Sequence, residues 1–160
     1  MKKPTYEETL KFVEETNNHI TKVQKEVLKF TNELTKQAMV HDLSKTKEPE
    51  IDKFIEYNAK LKESTYGSEE YKENLKGLGV ALDNHYKHNS HHPEHYEDGI
   101  EGMNLLDIVE MLCDWKAATL RHNDGDIIES LKYNKERFGM TNQLYKILLN
   151  TVEKLGMEIK

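Results

Sequence analysis

The spacing of apolar residues constrains this chain more than any other feature of its sequence. Apolar side chains recur at intervals of three and four residues along nearly every segment, and no segment sustains an alternation of period two. Such spacing puts apolar side chains on one face of an α-helix, whereas a half-buried strand needs alternation. The sequence therefore predicts an all-α fold, a single-domain helical bundle of about five to seven helices.

The first predicted helix is unusually long. It begins at Thr5, where the hydroxyl and Glu8 three residues later match a capping box, and it runs towards Val40. Because of this length, a bend or break is expected near Thr31 and Asn32.

The second and third predicted helices each present one stripe of inward-facing residues. The second covers about residues 50 to 63, and its stripe consists of Ile51, Phe54, Ile55, Asn58 and Leu61. The third starts after Ser68 and continues through Gly77 and Gly79, with a stripe of Tyr71, Leu75, Leu78, Leu82, His85 and Asn89. This spacing predicts that His85 lies on the buried face of its helix.

The remaining segments divide at turn-forming residues. Residues 64–67 and 123–126 are predicted turns, and Pro93 with the Asp-Gly pair at 98 and 99 predicts a loop over 91–102. Three further helices are expected, over about residues 104 to 121, from Asp126 to near Gly139, and over a last stretch that stops at Gly156.

Composition restricts the function classes. A length of 160 residues fits one domain spanning 1–160, and 23 basic against 29 acidic residues give a net charge of -6, which argues against binding to duplex nucleic acid. The longest apolar runs are too short to span a membrane and no signal peptide is recognisable, so we expect a cytoplasmic protein. Since Cys113 is the only cysteine, any metal ion must be held by His, Asp and Glu.

Histidines are concentrated in one stretch. The segment HYKHNSHHPEHY, His85 to Tyr96, holds five of the eight histidines in twelve residues. Three interpretations are open for this segment: a metal site, a pH sensor or a loop that is merely rich in imidazole. The helical spacing divides it, because His85 points inward from a helix, whereas His91 and His92 follow the helix end. His88 and His95 are expected at a pocket rim or on the surface.

Other candidate ligands lie far from this segment. His41 and Asp42 are adjacent at the end of the first helical region, His19 borders the apolar stripe of that helix, and Asp114 lies mid-helix, where burying an unpaired carboxylate is costly. The plain alternative is that Asp42 caps the following turn and His41 is an ordinary surface histidine. Nitrogen and oxygen ligands of this kind suit a divalent transition metal.

The order of these residues resembles a known family. His19, then His41-Asp42, then Asp114 resembles the H…HD…D signature of the HD-domain superfamily of all-α, metal-dependent phosphohydrolases, and the string HDLSK at 41–45 resembles its HDIGK motif. The resemblance implies that Lys45 binds substrate phosphate. The Gly-Tyr-Pro signature of the related cyclic di-GMP phosphodiesterases does not follow Gly99, so that activity is not implied.

A closer resemblance covers about residues 19 to 118. It is to a small, functionally uncharacterised HD-like family of bacterial and phage proteins with HDLSK, a segment like H-x3-N-x-HH and an ending like DWKAA. Here the segment is His85, Asn89, His91 and His92. These histidines also resemble the additional ones that let some HD proteins hold a second metal ion.

The sequence thus leads us to expect a metal-dependent phosphohydrolase. Its substrate would be a nucleotide or related phosphoester, and one or two ions of Mn, Fe, Zn, Co or Ni would be bound by His19, His41, Asp42, His85, His91, His92 and Asp114. Asp42 and Lys45 are the expected catalytic residues, and Lys45, His88, Lys116 and Arg121 the expected substrate contacts. Two alternatives stay open: an HD-like di-iron oxygenase, and a non-catalytic, metal-stabilised binding module of phage type. The oligomeric state is not predicted.

Overall fold

The regular structure is helical throughout the part of the chain that the structure, a computed structural model, describes, residues 3–64, 68–121 and 125–158. Its seven α-helices are α1 Tyr6–Val40, α2 Ile51–Glu63, α3 Glu69–Leu78, α4 Val80–His88, α5 Leu105–Thr119, α6 Ile127–Arg137 and α7 Asn142–Lys154. This confirms the all-α prediction. Within the predicted turns, residues 65–67, 123 and 124 lie outside the described residues. None of the described helices has the length and apolar character needed to cross a membrane.

The chain divides into two compact units, and the first, Met1–Met39, holds nearly all of α1. The capping box is present, because the Thr5 amide donates to Glu8 Oε2 (2.7 Å) and the Glu8 amide donates to Thr5 Oγ1 (3.2 Å). The helix continues through Thr31 and Asn32, so the prediction of a break there is wrong. The Thr31 hydroxyl donates to the Leu28 carbonyl (3.1 Å), which satisfies it within the helix.

The second unit, Val40–Lys160, has its main hydrophobic core among α5, α6 and α7. Fully or nearly fully buried core side chains come from each of these helices: Met111, Leu112, Trp115, Leu131, Leu148 and Val152. As predicted, Asp126 caps α6, since its carboxylate accepts from the Ile128 amide (2.7 Å).

The third predicted helix is two helices in the structure. Gly79 has φ 50° and ψ −125°, a conformation that ends α3 and begins α4. Only glycine adopts a positive φ of this kind at little steric cost, which is why the chain breaks here. Spacing alone predicted one continuous helix through this residue.

The loop before α5 is held by hydrogen bonds to a buried carboxylate. Asp107 Oδ1 accepts from the Ser90 hydroxyl (2.6 Å) and Oδ2 from the Tyr96 hydroxyl (2.7 Å). Asp107 and Asn104 also form the capping box of α5. The predicted loop 91–102 is partly regular, with 3-10 turns at Pro93–His95 and Gly99–Gly102. Asp107 thus fixes the segment that carries His91 and His92.

Candidate metal centre

The second residue of the HDLSK segment, Asp42, has a strained backbone. Asp42 has φ 58° and ψ 11°, and it is the only non-glycine residue with a positive φ in the described ranges. It precedes a 3-10 turn, Leu43–Thr46, but its side chain forms no capping hydrogen bond with that turn. The carboxylate points instead to a cluster of histidines. Left-handed backbone at a non-glycine residue is typical of functional sites, where surrounding structure holds it in place.

Four imidazole rings lie around the Asp42 carboxylate. His85 Nε2 is 3.3 Å and His91 Nε2 is 3.6 Å from Asp42 Oδ1, and His41 Nε2 is 3.6 Å from Oδ2. His92 Nε2 lies 2.9 Å from His85 Nε2. These rings come from the turn after α1, from α4 and from the loop after α4, so three parts of the sequence meet at one carboxylate.

Three overlapping groups of these side chains have the geometry to hold a metal ion. In each group one potential ligand atom per residue lies within 4.8 Å of all the others. The groups are Asp42 with His85, His91 and His92; His41 with Asp42 and Asp114; and His41 with His91 and Glu110. Asp114 joins through Oδ1, which is 3.6 Å from His41 Nε2.

Two buried polar atoms at the middle of the cluster have no hydrogen-bond partner among the described residues. They are Asp42 Oδ1 and His91 Nε2, and they are 3.6 Å apart. A buried polar atom left unpaired costs about 1–3 kcal/mol. One cation bound by both atoms would satisfy them together, and both belong to the first of the three groups.

Glu110, which the sequence did not suggest, contacts two of the histidines on their outer sides. Its Oε1 is 2.8 Å from His41 Nδ1 and 3.2 Å from His91 Nδ1. Because an ionised carboxylate only accepts hydrogen bonds, His41 Nδ1 donates to Glu110, and the proximity of the same oxygen to His91 Nδ1 favours a proton there, which in a neutral ring leaves Nε2 with its lone pair. Glu110 is four residues before Asp114 on α5, a spacing that puts both on one helix face and that a search for carboxylate pairs would have found.

Glu50 contacts the outer nitrogen of His85 in the same way. It is completely buried and accepts from His85 Nδ1 (3.0 Å), Ser44 Oγ (3.0 Å) and Asn84 Nδ2 (2.7 Å). Outer carboxylates that fix the orientation of metal-binding imidazoles are a regular feature of metal sites. The sequence carries no local signal for Glu50, since its partners are six to 35 residues away.

The pKa values of the cluster separate one cationic ring from neutral ones. Hydrogen bonding to Asp114 and then to Glu110 raises the pKa of His41 to about 9 against the opposing effect of burial. Burial lowers the pKa values of His85 and His91, and burial with the two neighbouring rings lowers that of His92 to about 2. Neutral imidazole is the form that binds metal ions.

Burial also acts on the two carboxylates. It raises the pKa of Asp114, but hydrogen bonding to His41 and the neighbouring charges outweigh it and hold this pKa at about 2. At Asp42, burial is likewise outweighed, chiefly by Lys45, and the pKa stays below its usual value. Both carboxylates are therefore ionised at neutral pH.

The predicted substrate contacts fall at different places. Lys45 Nζ is 2.5 Å from Asp42 Oδ2 and 5.1 Å from the centre of the Phe54 ring. His88 is exposed and donates from Nδ1 to the Asn84 carbonyl (2.8 Å), and Lys116 is half-buried on α5. Arg121 lines the cavity described next. His19 is an exposed residue of α1, in the first unit, and its role as a ligand stays a prediction.

A cavity of about 900 Å³ opens beside the cluster, and Asp42, His85, His92 and Asp114 form part of its wall. The stripes predicted for the second and third helices line the same cavity, except for Asn89, which is buried beside His85. Trp115 and Phe138 belong to the wall as well, with parallel rings 6.1 Å apart.

The fold and the site define an all-helical protein with a histidine and carboxylate cluster that could hold a metal ion. Within that class, the chain belongs to a family of unknown function, DUF5662, whose model matches residues 8–156. Comparison with curated proteins and with solved structures found no match.

Proposed function

We propose that the chain is a metal-dependent phosphohydrolase of the HD type that acts on a phosphoester. The observation that carries the proposal is the pair of buried, unpaired ligand atoms, Asp42 Oδ1 and His91 Nε2, inside a ring of Nε2 atoms. A cluster built only for stability would pair these atoms, because leaving them unpaired lowers stability.

The residues present fit one ion or two. Asp42 belongs to two of the groups, one with His85, His91 and His92 and one with His41 and Asp114, so its two oxygens can serve two ions. Ions that share a ligand in this way are typically about 3.5–4 Å apart in two-metal hydrolases. The mixture of imidazole and carboxylate suits Mn, Fe, Zn, Co or Ni.

Bound divalent metal would supply Lewis acidity, which activates water and neutralises charge on phosphoryl oxygens. The side chains of the chain itself supply orientation and charge. Glu50 and Glu110 hold the imidazoles so that Nε2 faces inward. Lys45, close to Asp42, is placed to contact a nonbridging phosphate oxygen, and the adjoining cavity holds the rest of the substrate.

The proposal is tested by metal analysis and by phosphate release. The purified chain is loaded with Mn or Co, its bound metal is measured, and phosphate release from a panel of phosphomonoesters and diesters is followed. We expect bound metal and release in the wild type, and loss of both in Asp42→Ala. His88→Ala, which changes an exposed histidine outside the three ligand groups, should keep its metal.

Other outcomes would contradict the proposal. Unchanged metal content in Asp42→Ala would refute the site. Iron with a charge-transfer absorption band and no phosphate release would favour the di-iron oxygenase, and a chain that binds no metal would rule out both enzymes.

A further inference from the structure

The cavity beside the metal cluster has one wall that is mostly apolar. Apolar side chains of α2, α3 and α4 form this wall, among them Phe54, Leu61, Leu75, Leu78 and Leu82. The polar side chains lining the cavity from these helices, apart from His85 at the centre, are Asn58, Tyr71 and Tyr86. The wall therefore offers few of the hydrogen-bonding groups that a ribose and a base would need.

The charged groups of the cavity come from other segments. Asp42, His85, His92 and Asp114 lie at the cluster, and Lys45 lies beside Asp42. Arg121 and the ion pair of Arg137 with Glu94 also line the cavity. A ligand that fills the cavity thus meets a site for an anionic group and, continuous with it, an apolar surface. Cavities of roughly 300–1,000 Å³ enclose most of a small organic ligand, and about 900 Å³ is near the top of that range.

The apolar wall extends to the open side of the cavity. Ile55 lines it while 70% exposed, and Leu120, on the α5 side, lines it while 58% exposed. Large apolar side chains that stay exposed at the edge of a cavity are covered when an apolar ligand binds, and this contributes to affinity through the area removed from water.

We propose that the substrate is an amphipathic phosphoester, with its phosphoryl group at the metal cluster and a hydrocarbon body, aliphatic or aromatic, against the wall of α2, α3 and α4. This rests on the proposed function for the phosphoryl group and narrows its substrate class, since it favours a hydrocarbon body over a nucleoside. The position of Lys45 accounts for the charged end, because its ammonium lies between Asp42 and the Phe54 ring that begins the apolar wall.

The test is a binding series with ligands that cannot be hydrolysed. Butyl-, hexyl- and octylphosphonate and a nucleoside phosphonate are titrated calorimetrically into the Mn-loaded full chain. Each fully buried methylene strengthens binding about fourfold, so four additional methylenes give up to about 200-fold. Because the cavity is partly open, we expect octylphosphonate to bind at least tenfold more tightly than butylphosphonate and more tightly than the nucleoside phosphonate.

A matched pair of variants locates the hydrocarbon body. Ile55→Asn should weaken octylphosphonate binding several-fold and leave butylphosphonate binding unchanged. Val80→Asn is the control, since Val80 is also β-branched and 72% exposed but is not a cavity-lining residue. Both positions are exposed, so both variants should keep the wild-type circular dichroism spectrum. Leu82→Asn, at a half-buried position of the wall, should have a larger effect than Ile55→Asn.

Failure of this inference is distinguishable from failure of the proposed function. A gain below tenfold from butyl to octyl, a preference for the nucleoside phosphonate, or no phosphonate binding overturns the hydrocarbon-body inference, whatever the metal content. Missing metal or missing phosphate release overturns the proposed function, whereas the dependence on chain length is measured without turnover.

Discussion

Replacing Glu110 by glutamine tests whether one carboxylate orients two rings of the proposed metal site. Glu110 Oε1 lies 2.8 Å from His41 Nδ1 and 3.2 Å from His91 Nδ1, and the side chain is only 11% exposed. Glutamine keeps the shape and one acceptor oxygen but removes the charge. It also adds an amide that cannot accept from a ring N–H.

The expected change in metal affinity of Glu110→Gln is the net result of two opposing effects. Loss of a carboxylate that orients a metal-binding histidine typically weakens metal affinity by about 10- to 100-fold. However, Glu110 also contributes to the raised pKa of His41. In the variant this pKa is lower, so removing the His41 proton before metal binds costs less free energy. We therefore expect a net loss at the lower end of this range, about tenfold, or about 1.4 kcal/mol.

The assay is calorimetric titration of Mn or Co into Glu110→Gln at pH 7, beside the wild type and Glu136→Gln. Glu136 is an exposed residue of α6, so its variant makes the same chemical change away from the cluster. The number of protons released on metal binding should also fall in Glu110→Gln, because less of His41 is protonated beforehand. A dissociation constant within twofold of the wild type would refute the shared-carboxylate reasoning.

Three further predictions concern the metal-free protein. Glu50→Leu leaves the buried donor of His85 and the partly buried donors of Ser44 and Asn84 without their shared acceptor. It should lower the free energy of unfolding by about 3–5 kcal/mol in urea titrations, and a loss below about 1 kcal/mol would contradict this. Asp107→Ala should let the pKa of Tyr96, which burial and Asp107 raise to about 12, fall towards 10 in an absorbance titration. Stability should be greatest near pH 6.5 in denaturation curves at several pH values. Below this pH, His92 binds a proton in the unfolded chain but not in the folded one, where its pKa is about 2. The free energy of unfolding therefore falls by about 1.4 kcal/mol for each pH unit. Above it, the stabilisation from His41, fully present below about pH 6.5, is lost as the pH rises through about 9.

Helical spacing predicted which faces of α2, α3 and α4 line the cavity. The stripes predicted for residues 50–63 and 71–85 line one cavity in the structure, because the face of a helix depends only on local spacing. The break at Gly79 was not predicted, since the sequence does not show which glycine adopts a positive φ. The long α1 was expected to bend or break, and it is one continuous helix.

The sequence singled out most side chains of the candidate cluster, but not the side chains that support them. His85 and Asp114 stood out because each is polar at a position next to apolar helix neighbours, and burial of such groups needs a partner. Glu50 is an acidic residue near a helix start, one of the commonest positions for glutamate, so nothing marked it as completely buried. Its role depends on where α2 and α4 lie relative to each other, which is long-range information.

Several features that lower stability occur together in the cluster. Asp42 adopts a left-handed backbone, which costs about 1–2 kcal/mol, and two buried atoms without partners add about 1–3 kcal/mol each. A domain is typically stable by only about 5–15 kcal/mol, so such a concentration persists only where surrounding contacts hold it. Glu50, Glu110 and Lys45 provide those contacts from three different segments. These supports leave the ligand atoms facing inward and unpaired instead of pairing them, an arrangement that is compatible with cation binding.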